Sequence, residues 1–456
     1  MGGLYGSLSV ALSALLSQQQ ALETSANNVS NANTPGFSRQ RPVLVPGDPM
    51  VIGRLSFGTG VVLEKLQSLR DPILELRLHQ ETQEQGRLGS TLGALQQMQV
   101  MFSGTDSGIG DAISKFFDSL QQLSTDPTNP SLRQGVLTAA GNLAGSFNTT
   151  AHNLQTQRAN LDLNVVQTVG EINTLTDQIA AVNQQIANLE NVHQDASAFI
   201  DKRTNLIRQL SGLIDVSVIQ TEQGITLTTS NGTPLVAEQR SFPLTTMLAN
   251  NGMHRVYTGS ADISGSIAAG KLGGLLKMRD TQIPGLESDL DQLAAGLADS
   301  LNTAHRAGFD LNGDPGVDLF APPPAGGVGA AAALSVAITD PALVAASSDG
   351  TPGSNGNLAV LAAVHDQTVA AGQKPLDFYS GIIFRVGSDT ADTAAELDAS
   401  GLILRQLEDQ RAAVSGVSLD EEAANMVRYQ TAYQAAARVV TTINDMLDAV
   451  VNLGRY

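Results

Sequence analysis

Leu8, Leu12, Leu15, Gln19, Leu22, Ala26 and Val29 follow one another at alternating steps of four and three residues, the spacing of a helix that lies lengthwise along another helix. The C-terminal end repeats the device more strongly. There Met426, Tyr429, Tyr433, Ala436, Val440, Ile443, Leu447 and Val450 step by three and four. Ser418 with Glu421 three residues on reads as a capping box that fixes where this second helix starts. A third seam runs through Leu154, Arg158, Leu161, Val165, Thr168, Ile172, Leu175, Ile179, Val182, Ile186 and Leu189 and extends backwards toward Val136. At about 1.5 Å per residue such a helix is on the order of 75 Å long, more than a compact domain requires. Shorter helical patterns cover Leu63 to Phe102, Ile113 to Leu123 and Leu402 to Val414, with breaks at Gly104 to Gly110 and Asp126 to Pro130.

The period changes near residue 214. Ile214, Val216 and Val218 alternate with polar residues, as do Ile225 and Leu227, and Asn231-Gly232 supplies a turn, so a small antiparallel sheet is predicted to about residue 270. Helical pattern resumes from Leu275 to His305. Gly308 to Pro352 is rich in Gly, Pro, Ala and Asp and reads as loop with little core of its own. The expected architecture is mainly α with a β insertion: an elongated rod of long coiled-coil-like helices, the N- and C-terminal helices paired, and a small antiparallel β domain in the middle. The corresponding units are 1–36 with 418–456 as a terminal helical layer, 37–213 with 271–417 as a long-helix domain containing the loop-rich segment 307–355, and 214–270 as the β insertion.

Composition narrows the function. The 456 residues carry 26 Lys plus Arg against 44 Asp plus Glu, a formal charge of −18, the wrong sign for phosphate backbones or anionic lipid. Nucleic acid and membrane surfaces are therefore not expected partners. Residues 1–70 hold five bases and three acids and residues 416–456 hold three bases and five acids, so the two ends together balance while the middle carries the whole excess. That distribution suits termini that pack on like copies while the middle faces water. With no Cys there is no disulfide, thiolate metal site or cysteine nucleophile. The first basic residue is Arg39, so no ordinary cleavable secretory signal is expected. The weakly polar runs at Gly326 to Ile338 and Leu358 to Val364 fall short of the roughly 18 to 20 residues of a membrane span.

Candidate chemistry is thin. Gly265 to Leu272 matches a phosphate-binding P-loop until its last position, where Leu272 replaces the magnesium-binding hydroxyl, although Lys271 keeps a nucleotide-binding enzyme open as a distant alternative. Asp310, Asn312, Asp314 and Asp318 alternate like calcium ligands, but Pro315 and Ala321 stand where an EF-hand needs Gly and Glu. The histidines at 79, 152, 193, 254, 305 and 365 form no helix-spaced metal pair. Neither a catalytic residue nor a cofactor or metal ligand is expected. Each terminal stripe has few other apolar elements near it in sequence, so its partner must be the other terminus or another molecule.

Following the first seam, Asn27-Asn28-Val-Ser-Asn-Ala-Asn33-Thr34-Pro35-Gly36-Phe37 stops the helix and turns the chain. Together with the terminal seams this string resembles the N-terminal signature of bacterial flagellar axial proteins: rod, hook and hook-associated subunits. Ser415-Gly-Val-Ser-Leu-Asp-Glu-Glu422, with Arg428-Tyr-Gln and the seam from Tyr433 to Leu453, resembles the hook-associated protein 1 family more narrowly. Asp201 to Leu210, Gly270 to Leu276 and Ala304 to Gly313 look like that family's internal landmarks. The chain departs from it at about 315–355, where many relatives carry further β structure. The resemblance implies a structural subunit, not an enzyme, exported unfolded by the flagellar type III apparatus without a cleaved signal and located outside the cell. It would assemble at the distal end of the hook, beneath the second hook-filament junction protein and the filament. Implied partners are copies of itself, hook protein, that second junction protein, and an export chaperone that masks Tyr429 to Val450. Another axial subunit, hook or distal rod, shares the same ends and stays open as an alternative.

Overall fold

A computed structural model describes residues 2–52, 55–102, 108–221 and 224–453. The chain enters through helix α1 (Gly2–Ser30) and leaves through α11 (Leu419–Leu453), and the two lie against each other. Between them come α2 (Pro72–Phe102), α3 (Ile109–Leu123), α4 (Pro130–Asn191), α5 (Ser197–Leu213), α6 (Gly270–Lys277), α7 (Ile283–Arg306), the short α8 (Ala330–Ala333), α9 (Gly356–Ala363) and α10 (Pro375–Ser415). The expected break at Gly104 to Gly110 falls largely outside the described residues.

The third seam forms α4, the spine of the molecule. Asn129 caps it by accepting from the Ser131 and Leu132 N–H groups at 3.0 and 3.4 Å, and Pro130 occupies the first turn, where no N–H is needed. Its 62 residues reach on the order of 90 Å, longer than the sequence pattern suggested. Leu154, Leu161, Val165, Ile172, Ile179, Val182 and Ile186 are buried along one continuous core shared with α3, α5, α6 and α7.

The insertion holds two antiparallel sheets. Strands β5 (Ser217–Thr221), β6 (Gly224–Thr228), β7 (Pro234–Ala237) and β8 (Arg240–Ser241) pair in chain order; β9 (Leu244–Leu248), β10 (His254–Thr258) and β11 (Ala261–Asp262) form the second sheet, with β10 central. Polar side chains on α4 pin both sheets. The Asn173 amide bonds both backbone groups of Leu244 at 2.8 Å, Asn183 donates to Glu238 O at 2.6 Å, and the Asp162 carboxylate accepts the His254 N–H at 2.7 Å. Between α6 and α7 a π-turn, Met278–Gln282, places the fully buried Arg279 guanidinium 2.7 Å from Asp162 and 2.8 Å from Asp280.

Three expectations need correction. Residues 61–68 are not helical: β1 (Gln40–Pro46) pairs antiparallel with β4 (Val61–Ser68), and β2 (Met50–Ile52) pairs with β3 (Leu55–Phe57), so the helix expected from Leu63 begins only at Pro72. Alternating burial along β4 is the half-covered ribbon that a helical period had mimicked. The helix expected at Leu402 to Val414 is the end of the much longer α10. The loop-rich segment contributes to the core, with Leu319, Phe320, Val344 and Ala345 almost wholly buried. Side chains from the helices hold it: Asn302 bonds Leu319 and Phe320 at 2.9 Å, Arg133 donates to Val344 O at 2.7 Å, and His305 accepts the Ala345 N–H at 2.9 Å while donating to Val317 O.

Candidate subunit-packing surface

Residues 2–22 of α1 include no charged side chain. The face of α1 buried within the chain is made of small and polar residues, Ala11, Ser17, Ala21, Thr24, Ser25 and Asn28, which let α11 and the β1–β4 ribbon approach closely. Ser17 donates to Val61 O at 2.9 Å and Ser13 to Thr59 O at 3.3 Å. The leucine seam therefore lies at the margin. Leu8, Leu15 and Leu22 are half-buried, and Leu12 and Val29 are exposed, together with Tyr5 and Leu16. The C-terminal seam behaves differently. Tyr429 and Ile443 are buried, Met426, Val440 and Leu447 half-buried, and Tyr433 and Val450 exposed; Val439 and Met446 add apolar surface beside them.

The signature string makes the exit from α1. Asn28 is buried, and its amide bonds both backbone groups of Gln40, at 2.8 and 3.0 Å, as a neighbouring strand would. Gly36 takes a φ of +83°, open to glycine without strain. Asn27, Asn33, Thr34 and Pro35 are exposed and Phe37 half-buried. Asn27, Thr34, Pro35, Gly36 and Phe37 border a cleft of about 700 Å³ between α1, β4 and α5.

Beyond Gly36 the chain is gripped from every side. Arg411 donates to Gly36 O at 3.0 Å, Asp201 accepts the Ser38 N–H at 3.1 Å, and Ser415 O accepts the Arg39 N–H at 2.9 Å. The Arg39 guanidinium reaches Glu421 at 2.5 Å and the buried Glu422 at 2.7 Å. Burial works against that charge, and the two carboxylates more than offset it, leaving Arg39 above its ordinary pKa. The expected capping box is thus half present: Ser418 Oγ accepts the Glu421 N–H at 3.4 Å, but the Glu421 carboxylate turns to Arg39. Arg70 pairs with Asp201 at 2.8 Å, and Glu75 receives Arg411 at 2.6 Å and Arg208 at 3.2 Å. His79 lies buried one turn on, where burial and then Arg208 push its imidazole down to about 4 against the pull of Glu75. Sequence reading missed this cluster as a unit, although Gly36, Asp201, Arg208, Ser415, Glu421 and Glu422 each stood in a string it had marked.

In the string that resembles a P-loop, Lys271 pairs with Glu171 at 3.5 Å, and Gly270, at a φ of +69°, backs onto the Ile214 backbone. Asp310 accepts the N–H groups of Asn312 and Asp314 in a local turn. Among the described residues no group of three or more metal-ligating side chains stands together, and no helix is long and apolar enough to cross a membrane.

Comparison with known proteins matches this geometry at both ends. Residues 8–37 match the family model of the flagella basal body rod protein, and residues 409–453 that of the flagellar basal body rod FlgEFG protein C-terminal region. Paired terminal helices carrying those signatures define a structural subunit of the flagellar axial assembly. Residues 95–320 match the helical domain of flagellar hook-associated protein FlgK. The chain belongs to the flagellar hook-associated protein 1 family: it is 30% identical over 500 residues to flagellar hook-associated protein 1 of Bacillus subtilis (strain 168), covering 99% of each chain. It is 26% identical over 539 residues to the Escherichia coli (strain K12) protein of that name, covering 97% and 98%. Its fold is similar to the structure of the flagellar hook junction protein FlgK from Burkholderia pseudomallei, with a TM-score of 0.67 at 17% identity, over 74% of this chain and 100% of that one.

Proposed function

We propose that this chain is the subunit that couples hook to filament, assembling with copies of itself at the distal end of the hook, between hook protein and the second junction protein. Export through the flagellar type III apparatus without a cleaved signal, and an export chaperone on Tyr429 to Val450, complete the reading. Residues 1–36 with 418–456 act as the inner layer, the long helices as the next, and 214–270 as an outer module.

One observation carries it: the terminal pair leaves Leu12, Leu16, Val439, Met446 and Val450 in solvent. Apolar side chains left exposed in this way on paired helices suit a protein-binding face. Isolated terminal helices are marginal in water, so their seams favour assembly where neighbours cover them. Leu447→Asp sets a carboxylate on the half-buried seam without a partner. Incorporation at the hook tip should be lost while secretion and the protease resistance of residues 70–400 persist; normal junctions and swimming in that strain refute the role of the seam. Deletion of the gene should leave completed hooks and secreted filament monomers, whereas absence of hooks would assign the chain to the hook itself.

A further inference from the structure

We infer that successive copies meet head to tail, with Tyr5, Leu12 and Leu16 on α1 of one copy seated in a trough on the next, walled by α1, the β2–β3 hairpin and α11. The inference rests on the assembly reading above and names the contact that would build it.

Tyr5, Leu12 and Leu16 are spaced by seven and four residues and are each more than half exposed. At about 100° per residue they form one stripe, roughly opposite the face that α1 buries within its own chain. The trough lies on the other side of the helix. It holds about 910 Å³ and is lined by Val10, Ala14, Met50, Phe57, Ala436 and Val439 among others, with no charged side chain among the described residues. One wall is the two-stranded hairpin, which exposes Met50, Val51 and Phe57. A hairpin of two strands is marginal alone and gains a second apolar contact when the trough is filled.

The charge pattern selects the occupant. An uncharged trough favours a helix face that desolvates no ion, and α1 has no charged residue before Glu23. The other exposed apolar residues on the pair offer no free stripe for it: Val439 already lines the trough, and Met446 and Val450 lie on that same face of α11. Stripe and trough are different patches of one molecule, so the contact is heterologous and repeats from copy to copy around a ring or helix rather than closing as a dimer.

The chain has no cysteine, which makes the test direct. Flagella are isolated from a strain whose sole copy is the Leu12→Cys, Phe57→Cys double variant, treated with a short bismaleimide, and the chain is followed by immunoblot. A ladder of dimers, trimers and higher multimers is expected, with each single variant remaining monomeric. Dimers from Leu12→Cys alone would mean stripe against stripe and overturn the inference. So would an unlinked chain that is nevertheless present in the isolated structures, both for this pair and for Leu16→Cys with Met50→Cys. Absence of the unmodified chain from hook-filament preparations, by contrast, sinks the assembly reading itself.

Discussion

His79 offers a test of the joint between the terminal pair and the body. Its imidazole is 5% exposed, beside Glu75 and Arg208, and its pKa falls from the ordinary 6.5 to about 4, with burial the largest cause. Between those values the unfolded chain holds a proton that the folded chain does not, so stability is complete above about pH 6.5 and declines as pH falls toward 4. At about 1.4 kcal/mol per pH unit the loss amounts to about 3 kcal/mol by pH 4, a sizeable part of a typical domain's stability. Urea titrations of the wild type and of His79→Gln at pH 7 and pH 4 measure it, because other carboxylates titrate equally in both proteins and cancel in the comparison. The variant should lose about 3 kcal/mol less than the wild type on acidification. Equal losses would show that His79 takes up its proton in the folded chain without penalty, and the burial argument would be wrong.

Two further substitutions probe the body. Asp162→Ala removes the carboxylate that receives both Arg279 and the His254 backbone; Arg279 keeps Asp280, so the cost should sit near the lower end for a broken buried pair, about 3 kcal/mol, and appear as faster amide exchange in β9 and β10 with α3 unchanged. Unchanged exchange there would deny that Asp162 fastens the insertion to α4. Gly86→Ala in α2 would bring a methyl group within 2.1 Å of Gly212 O, forcing α2 away from α5, and should destabilise by about 3 kcal/mol in thermal melts. A melting temperature at the wild-type value would show that the crossing has room to spare.

Much of the frame could be read from the residues alone because it rests on period. The spine α4, the terminal helices and the β insertion all follow from repeats of three and four or of two. The ribbon at 40–68 escaped because Pro42 and Pro46 weaken β1 as a strand pattern, and Val61 to Leu66 fits a helical spacing as well as an alternating one. The segment after Gly308 escaped for another reason: its few apolar residues show no period, and they join the core with help from Arg133, Asn302 and His305 on distant helices. At the candidate surface, the C-terminal seam buries Tyr429 and Ile443 within the chain and leaves Tyr433 and Val450 exposed. On α1, alanines and serines let the helix come closer to its neighbours than leucines would, and that preference turns Leu12 and Val29 outward.

The ionic cluster was the least legible part because its partners lie 131 to 383 residues apart in sequence. Its arrangement nevertheless explains why the signature string ends where it does. Residues 36–39 are held by α5 through Asp201, by α10 through Arg411 and Ser415, and by α11 through Glu421 and Glu422. Glu422 is 2% exposed, so its charge is tolerable only with Arg39 in place, and Arg39 reaches it only once the first turn of α11 has formed. Closing α11 and fixing the exit from α1 are therefore one event rather than two. The coupling between the two terminal helices is built at this joint, away from the exposed apolar residues Leu12, Leu16, Val439 and Met446.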